Sequence, residues 1–446
     1  MSKNNNVYPV NDYSRSYWMN SNPGKLANYR STNDLPDYSD IVIIGSGYAG
    51  ATCAYYLYKN ETSQKITMLE AREACSGATG RNGGHLNADM YVSYTDYSKK
   101  YGSQTTEEMI EFEVKHLEEI DKLVREENID CDLEFTRTCH AYYDQEIANQ
   151  AKTSYEKRRD DGGNVSDIYE IPSDVLRSET RLKDVIYGVT FTGASIHPYK
   201  FIHHLLNKCV EQGLNLQTNT CVVSATCLPS GSKWSIVTSR GTIEASKVIF
   251  ATNAYTGGII PVLNEKIIPI RATVCRIIPT ENFTQKPLKM TYGIRSKGSQ
   301  FDYMLPRQVG DRSIILGGSK PTYFTDKNSW YNNWDDSPTI INEQSAKYFE
   351  EFMSKYFDDW GADKSEYEEV WTAVFGGTSD AMPFVGELPD EKNGFVIAGF
   401  NGHGMSRILL CARALIDLVL EKVNTIEGLI PQPLIITKDR LDNNEN

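Results

Sequence analysis

Apolar positions along the chain keep two rhythms, and the change from one to the other marks out the elements. Residues 41–44 are four consecutive apolar side chains running up to Gly45, as in a strand buried on both faces. Residues 48–59 then read as a helix and residues 65–70, "KITMLE", as a second strand, so this part of the chain opens as β-α-β. Residues 105–128 place apolar side chains at 109, 110, 112, 114, 117, 120, 123 and 124, which predicts one amphipathic helix. Residues 197–213 predict another, with Gly213 as its stop signal.

Beyond it the rhythm becomes β-like. "LNLQTNTCVVSATCL", "WSIVTS" and "IEASKVIFATNAYT" alternate and are β-branched. "KIIPIRATVCRIIP", "FDYMLPR" and "RSIILGG" predict longer antiparallel strands, followed by a helix at 343–357. Residues 394–399, "GFVIAG", return to a buried strand, then a glycine-rich turn and a helix over 407–423. Residues 1–36, rich in Asn, Ser, Tyr and Pro without periodicity, predict an arm wrapped on the body and disordered at its tip.

Composition narrows the function classes. Forty-six Lys+Arg against 59 Asp+Glu give a net charge of −13, which argues against nucleic acid or an anionic membrane as partner. The chain has no apolar run long enough to span a membrane, and its first residues lack the apolar core of a signal peptide. Nine cysteines without a C-x-x-C pair fit reduced core residues. A cytoplasmic protein is the expectation. The sequons at Asn60, Asn164 and Asn282 read as chance, and the seven histidines contain no H-x-x-x-H metal pair.

The chemistry begins at Gly45-x-Gly47-x-x-Gly50, set between strand and helix, with Glu70 at the end of the next strand. Gly45 permits the tight turn, Gly47 lets backbone approach a pyrophosphate, and Gly50 lets helix and strand pack closely. The helix N-terminus adds partial positive charge, and the Glu70 carboxylate can accept ribose hydroxyls. Ser46, Tyr48 and Ala49 complete this turn, and Ala71 and Arg72 follow the acid. The pattern predicts a bound dinucleotide.

Three further motifs carry a family resemblance from Asp40 to about Ile435. They are "SGATGRNGG", "VIFATNAYT" and "GFVIAGFNGHGM". The chain resembles FAD-dependent oxidoreductases of the D-amino acid oxidase, glycine oxidase and sarcosine oxidase superfamily. Its motifs look nearest those of γ-glutamylputrescine oxidase-like and fungal members.

The resemblance implies an α/β, two-domain fold: a Rossmann-like FAD-binding domain of the glutathione-reductase type with an interleaved antiparallel-sheet substrate domain. It implies an arm at 1–36, an FAD-binding domain at 37–104, 183–260 and 367–435, a substrate or cap domain at 105–182 and 261–366, and a tail at 436–446. Gly77, Ala78, Thr79, Arg81, Asn82, Gly83 and Gly84 would cross the pyrophosphate toward the flavin, with Arg81 and Asn82 near its ring. Val222 would meet the adenine through its backbone, and Ala251 and Thr252 would end a strand beside the cofactor. Gly399, Asn401, Gly402, His403, Gly404 and Met405 would form the closing turn, whose amides favour the reduced flavin anion.

Arg81, His403 and Ser406 are the catalytic candidates. His403 is an acid–base candidate, or a core histidine satisfied by backbone. His85 lies where some relatives attach FAD through histidine, but its registration with them is poor. Ala373 stands where monomeric sarcosine oxidases carry the attaching cysteine, so the FAD is expected to be non-covalent. Arg271 would gate or fix the cofactor, or is a plain strand arginine.

Ser406 stands where those enzymes carry a lysine that holds the substrate carboxylate and assists reaction with oxygen. Arg407, about 100° round a helix, would not take that lysine's place. The implied activity is oxidation of a C–N bond of a small-molecule amine or amino acid, with larger amines favoured over N-methyl amino acids. Oxygen or another acceptor would take the electrons. A same-fold dehydrogenase and a flavoprotein kept for binding remain as alternatives.

Overall fold

The computed structural model describes residues 7–229, 233–297, 300–338, 343–362 and 364–443. Among the described residues the strands form two sheets. In the first, Gly394–Ala398, Gly241–Phe250, Tyr38–Ile44, Ile66–Leu69 and Asn215–Gln217 lie side by side in that order and run parallel. Phe384–Glu387 adds an antiparallel edge, and the hairpin Val222–Cys227 with Trp234–Thr238 extends from Gly241–Phe250. Burial on two faces explains the unbroken apolar run at 41–44. Ile41 and Ile43 join one core cluster and Val42 and Ile44 another.

The helices Tyr48–Lys59, Pro198–Glu211 and Ile408–Val419 cover the first of these faces. Ser103–Glu126 packs with them, burying Met109, Phe112, Leu117, Ile120 and Leu123 in the same cluster. This helix therefore shares the parallel sheet's core, although its sequence lies within the 105–182 segment expected in the substrate domain. Its stripe also differs from expectation. Val114 is exposed, while Glu113 and His116 are buried. Glu113 stands four residues from both Met109 and Leu117, on the inward face.

The second sheet runs Tyr367–Gly377, Ile268–Ile277, Ile314–Gly318, Gln300–Pro306, Thr291–Ser296, Glu134–Tyr142, Tyr187–Ser195 and His85–Leu86, with Tyr169–Glu170 beside Tyr187–Ser195. It is antiparallel except where Thr291–Ser296 meets Glu134–Tyr142. Pairing thus draws Tyr187–Ser195 and Tyr367–Gly377 into this sheet, although 183–260 and 367–435 were expected in the cofactor domain. Hydrogen-bond partners far away in sequence decide this, and local pattern does not reveal them. The helix Glu343–Tyr356 closes the back of this sheet through Phe349, Phe352 and Met353.

The arm wraps the body as expected. Ser16 caps the short helix Tyr17–Ser21, Trp18 and Met19 are buried, and Arg30 bridges to Gln217. The tip expected to be disordered, residues 1–6, lies outside the described residues. In the tail the Ile436 amide bonds the Val385 carbonyl at 2.9 Å. No described helix is long and apolar enough to cross a membrane. All nine cysteines are free thiols.

Candidate active site between the two sheets

A cavity of about 560 Å³ begins at the C-terminal ends of the parallel strands and reaches the face of the second sheet. Gly45 ends the strand Tyr38–Ile44 with φ +103°, and a Cβ there would lie 2.6 Å from the Ala251 carbonyl oxygen. A Cβ on Gly50 would lie 1.9 Å from the Gly45 carbonyl oxygen, which is the close helix–strand packing that the motif requires. The N-terminus of the helix Tyr48–Lys59 faces the cavity, and the Tyr48 amide donates to Thr79 Oγ1 at 2.9 Å. Glu70 Oε2 accepts from the amide and hydroxyl of Ser46 at 3.0 and 2.7 Å, and Oε1 accepts from the Arg72 amide at 3.0 Å. That fixes the acid at the wall.

Arg72 and Arg81 stand next along the wall. Both are buried, and both donate to Asp336, which is fully buried and comes from the segment following the second sheet's strand Ile314–Gly318. Arg72 Nη1 reaches both Asp336 oxygens at 3.1 Å, while its Nε is buried without a partner. Arg81 also donates to the Thr372 carbonyl at 2.9 Å. Two cations sharing one carboxylate leave a net positive charge beside a helix N-terminus. That arrangement fits a diphosphate.

Asn82 is tied locally by donating to the Thr79 carbonyl at 3.0 Å. Tyr8 and Pro9 of the arm close the far end beside Cys221 and Val222, and the Tyr8 hydroxyl bonds the Val223 carbonyl at 2.9 Å. At the other end, the turn before the helix Ile408–Val419 places Gly402, His403, Gly404, Met405 and Ser406 on the wall. His403 Nε2 lies 2.8 Å from Glu113 Oε2, and Arg407 Nε donates to Glu113 Oε1 at 2.6 Å. The Asp89 amide also donates to Oε2, at 2.7 Å. Burial opposes the Glu113 charge, but Arg407, His403 and that amide hold its carboxyl down to about 2. Arg407 is thus turned off the wall, as anticipated, although an ion pair holds it there. Ser406 donates to the Asn87 carbonyl at 2.5 Å.

On the second sheet, Gly293 pairs with both His140 and Tyr303, and Arg295 with both Tyr142 and Phe301. His140, Gly293, Arg295, Phe301 and Tyr303 line the cavity. Burial pushes the His140 pKa well down. Arg295 lies over the Phe301 ring at 4.6 Å, its Nε buried without a partner, and it has no ion pair among the described residues. His85 lines the same end, edge-on to Tyr303, and burial lowers its pKa to about 4.

Gly45, Gly47, Tyr48, Ala49, Glu70, Ala71, Arg72, Gly77, Ala78, Thr79, Arg81, Asn82, Gly83, Val222, Ala251, Thr252, Asn401 and the 402–406 turn, all anticipated from sequence, are on the wall. Four anticipated residues are not. Ser46 is turned onto Glu70, Gly50 packs on Gly45, Gly84 sits against the Ile196 carbonyl and Trp18, and Gly399 sits against Thr378. Arg271 is also off the wall, donating to the Ser329 carbonyl. Ala373 is on it. Sequence reasoning missed Glu113, Asp336, His140, Arg295 and Tyr303. Glu113 alone left a signal, as an acid on the apolar stripe of its helix.

The family model described as "FAD dependent oxidoreductase" (DAO) matches residues 40–418. A probable oxidoreductase OrdL of Rhizobium meliloti (strain 1021) is 25% identical over 399 residues, covering 88% of this chain and 85% of that protein. The γ-glutamylputrescine oxidoreductase of Escherichia coli (strain K12) is 24% identical over 421 residues, covering 92% and 90%. The crystal structure of glycine oxidase from Geobacillus kaustophilus superposes with a TM-score of 0.72 at 17% identity, covering 90% of this chain and 99% of that one.

Proposed function

The chain belongs to the DAO family of FAD-dependent oxidoreductases, and we propose that it oxidises a C–N bond of an amine or amino acid, with oxygen taking the electrons. One observation carries the reading: a single cavity joins the dinucleotide cradle, the 402–406 turn and the aromatic face of the second sheet.

FAD would be held by Glu70 at its ribose, by Arg72, Arg81 and the helix N-terminus at its diphosphate, by Val222 at its adenine and by the 402–405 amides at its flavin edge. Bound there without a covalent link, it would supply the hydride acceptor. The protein's own part is placement. Phe301 and Tyr303 give the second sheet's side of the cavity an aromatic wall, and Arg295 is the cation available to an anionic group of the substrate. Loss of hydride from the α-carbon and of a proton from nitrogen leaves an imine, which water hydrolyses. The names of the relatives, a γ-glutamylputrescine oxidoreductase and glycine oxidases, support an amine or amino acid substrate.

Anaerobic mixing of the yellow protein with a panel of amines and amino acids, followed at about 450 nm, tests the reading through the cofactor's own chemistry. Bleaching by at least one amine is expected, with recovery on admitting air. Bleaching without recovery would turn the assignment to a dehydrogenase, and no bleaching by any amine would refute it. Acid treatment should release free FAD; flavin precipitating with the protein would contradict the non-covalent assignment.

A further inference from the structure

We propose that Glu113 is the positioning residue of a carboxylate–imidazole pair in which His403 Nδ1 takes the proton of the substrate's ammonium group. The proposal rests on the amine-oxidising reading and deepens it. Glu113 comes from the helix Ser103–Glu126, fully inside the core, yet its two oxygens are used by three donors. Arg407 holds Oε1, while His403 and the Asp89 amide share Oε2. A buried carboxylate so encircled only accepts. The hydrogen between it and His403 therefore belongs to Nε2, and in the neutral ring Nδ1 keeps a lone pair. His403 is on the cavity wall, its side chain 33% exposed, and Nδ1 makes no hydrogen bond to a described residue.

The surroundings suit this assignment. The Arg407 charge is matched by Glu113. His116, one turn along the same helix, is kept neutral by burial and bonds the Tyr48 hydroxyl at 3.3 Å. Arg413 on the helix Ile408–Val419 is paired with Glu119 at 3.1 Å. Tyr97 faces Arg407 and Asp89, and burial raises its pKa to about 12, so it stays neutral. Asp89 contributes a further negative charge on the cavity wall. An imidazolium formed at His403 thus meets the Glu113 carboxylate through Nε2, with the Asp89 charge on the same wall; Arg295, on the second sheet's side of the cavity, is a cation there without an ion pair among the described residues. In the step, an ammonium N–H bond breaks and its proton bonds Nδ1. The electron pair stays on nitrogen, where it assists departure of the α-hydrogen as hydride. Glu113 does not touch substrate; it fixes which nitrogen of His403 does.

Two readouts on the FAD-loaded protein test this. In ¹⁵N-histidine NMR, with the His403 signals identified by their loss in His403→Asn, Nδ1 should be the unprotonated nitrogen, and Glu113→Gln should mix the two tautomers. A proton on Nδ1 in the native protein, or an unchanged tautomer in Glu113→Gln, overturns the positioning role. In anaerobic reduction by an active amine, His403→Asn and Glu113→Gln should each be slower by about 10²-fold near pH 7. The defect should close toward pH about 10, where the amine arrives already neutral. A defect of equal size at both pH values marks a merely structural role and overturns the proposal. If Glu113→Gln does not fold, native NMR and His403→Asn decide it. If no amine reduces the flavin, the functional reading falls, and the tautomer still decides what Glu113 does.

Discussion

Replacing Asp336 by Asn keeps the shape of the side chain and removes the one charge that Arg72 and Arg81 share. Asp336 is fully buried, and the guanidinium groups are 5% and 1% exposed, so water cannot take over its part. Breaking a buried ion pair from one side costs about 3 to 5 kcal/mol, because the partner's charge is left uncompensated. Unfolding entropy of about 2.1 cal/mol/K per residue gives about 0.9 kcal/mol/K for 446 residues. The protein without cofactor should therefore melt about 3 to 5 °C lower. The FAD-loaded protein should lose less, since the diphosphate returns negative charge to the same two arginines. Thermal unfolding of both forms, native and Asp336→Asn, measures this directly. An apoprotein shifted by less than about 1 °C would refute the charge argument, and a loaded protein shifted as far as the apoprotein would refute the placing of the diphosphate at Arg72 and Arg81.

Gly50→Ala should abolish FAD binding, read as loss of the yellow colour after purification, because its Cβ would stand 1.9 Å from the Gly45 carbonyl oxygen in the turn itself. Gly47→Ala should weaken FAD binding as well, since its Cβ, 3.1 Å from the Thr79 hydroxyl, would stand where the backbone approaches the pyrophosphate. The depressed pKa of Glu113, about 2 against an ordinary 4.5, makes its charge stabilising above pH about 4.5, and the contribution, roughly 3 kcal/mol, is lost as pH falls toward 2. Urea midpoints of native protein and Glu113→Gln should therefore differ at pH 7 and converge near pH 2. Sarcosine and glycine should bleach the flavin poorly, and Ser406→Lys should speed both their turnover and reoxidation by air; efficient bleaching by either at millimolar concentration in the native protein would contradict the part given to residue 406. Arg295→Met should lower kcat/KM for carboxylate-bearing amines by roughly 30-fold while sparing neutral ones, as loss of one charged anchor to a substrate carboxylate costs about 2 kcal/mol.

The sequence alone determined whatever depends on neighbours in the chain. The strand at 41–44, the turn at Gly45 and Gly47, the helix behind it and the acid at Glu70 lie within one β-α-β unit, where a side chain's role follows from its spacing. The 402–405 turn was placed by the likeness of its motif to the family's, and the fold sets it on the cavity wall. Tertiary structure decided everything that joins distant segments. Asp336 meets Arg72 and Arg81 only because the segment after Ile314–Gly318 folds back over the cofactor loop. Arg295 and Tyr303 share the cavity face only through the register of their paired strands, and a slip of either strand by one residue would send its side chain to the other face and part the two. Glu113 stood on its helix's apolar stripe, but its partners His403 and Arg407 lie 290 and 294 positions away. A charge becomes tolerable in a core only when its counter-charge arrives there, and packing, not local pattern, decides which residues arrive.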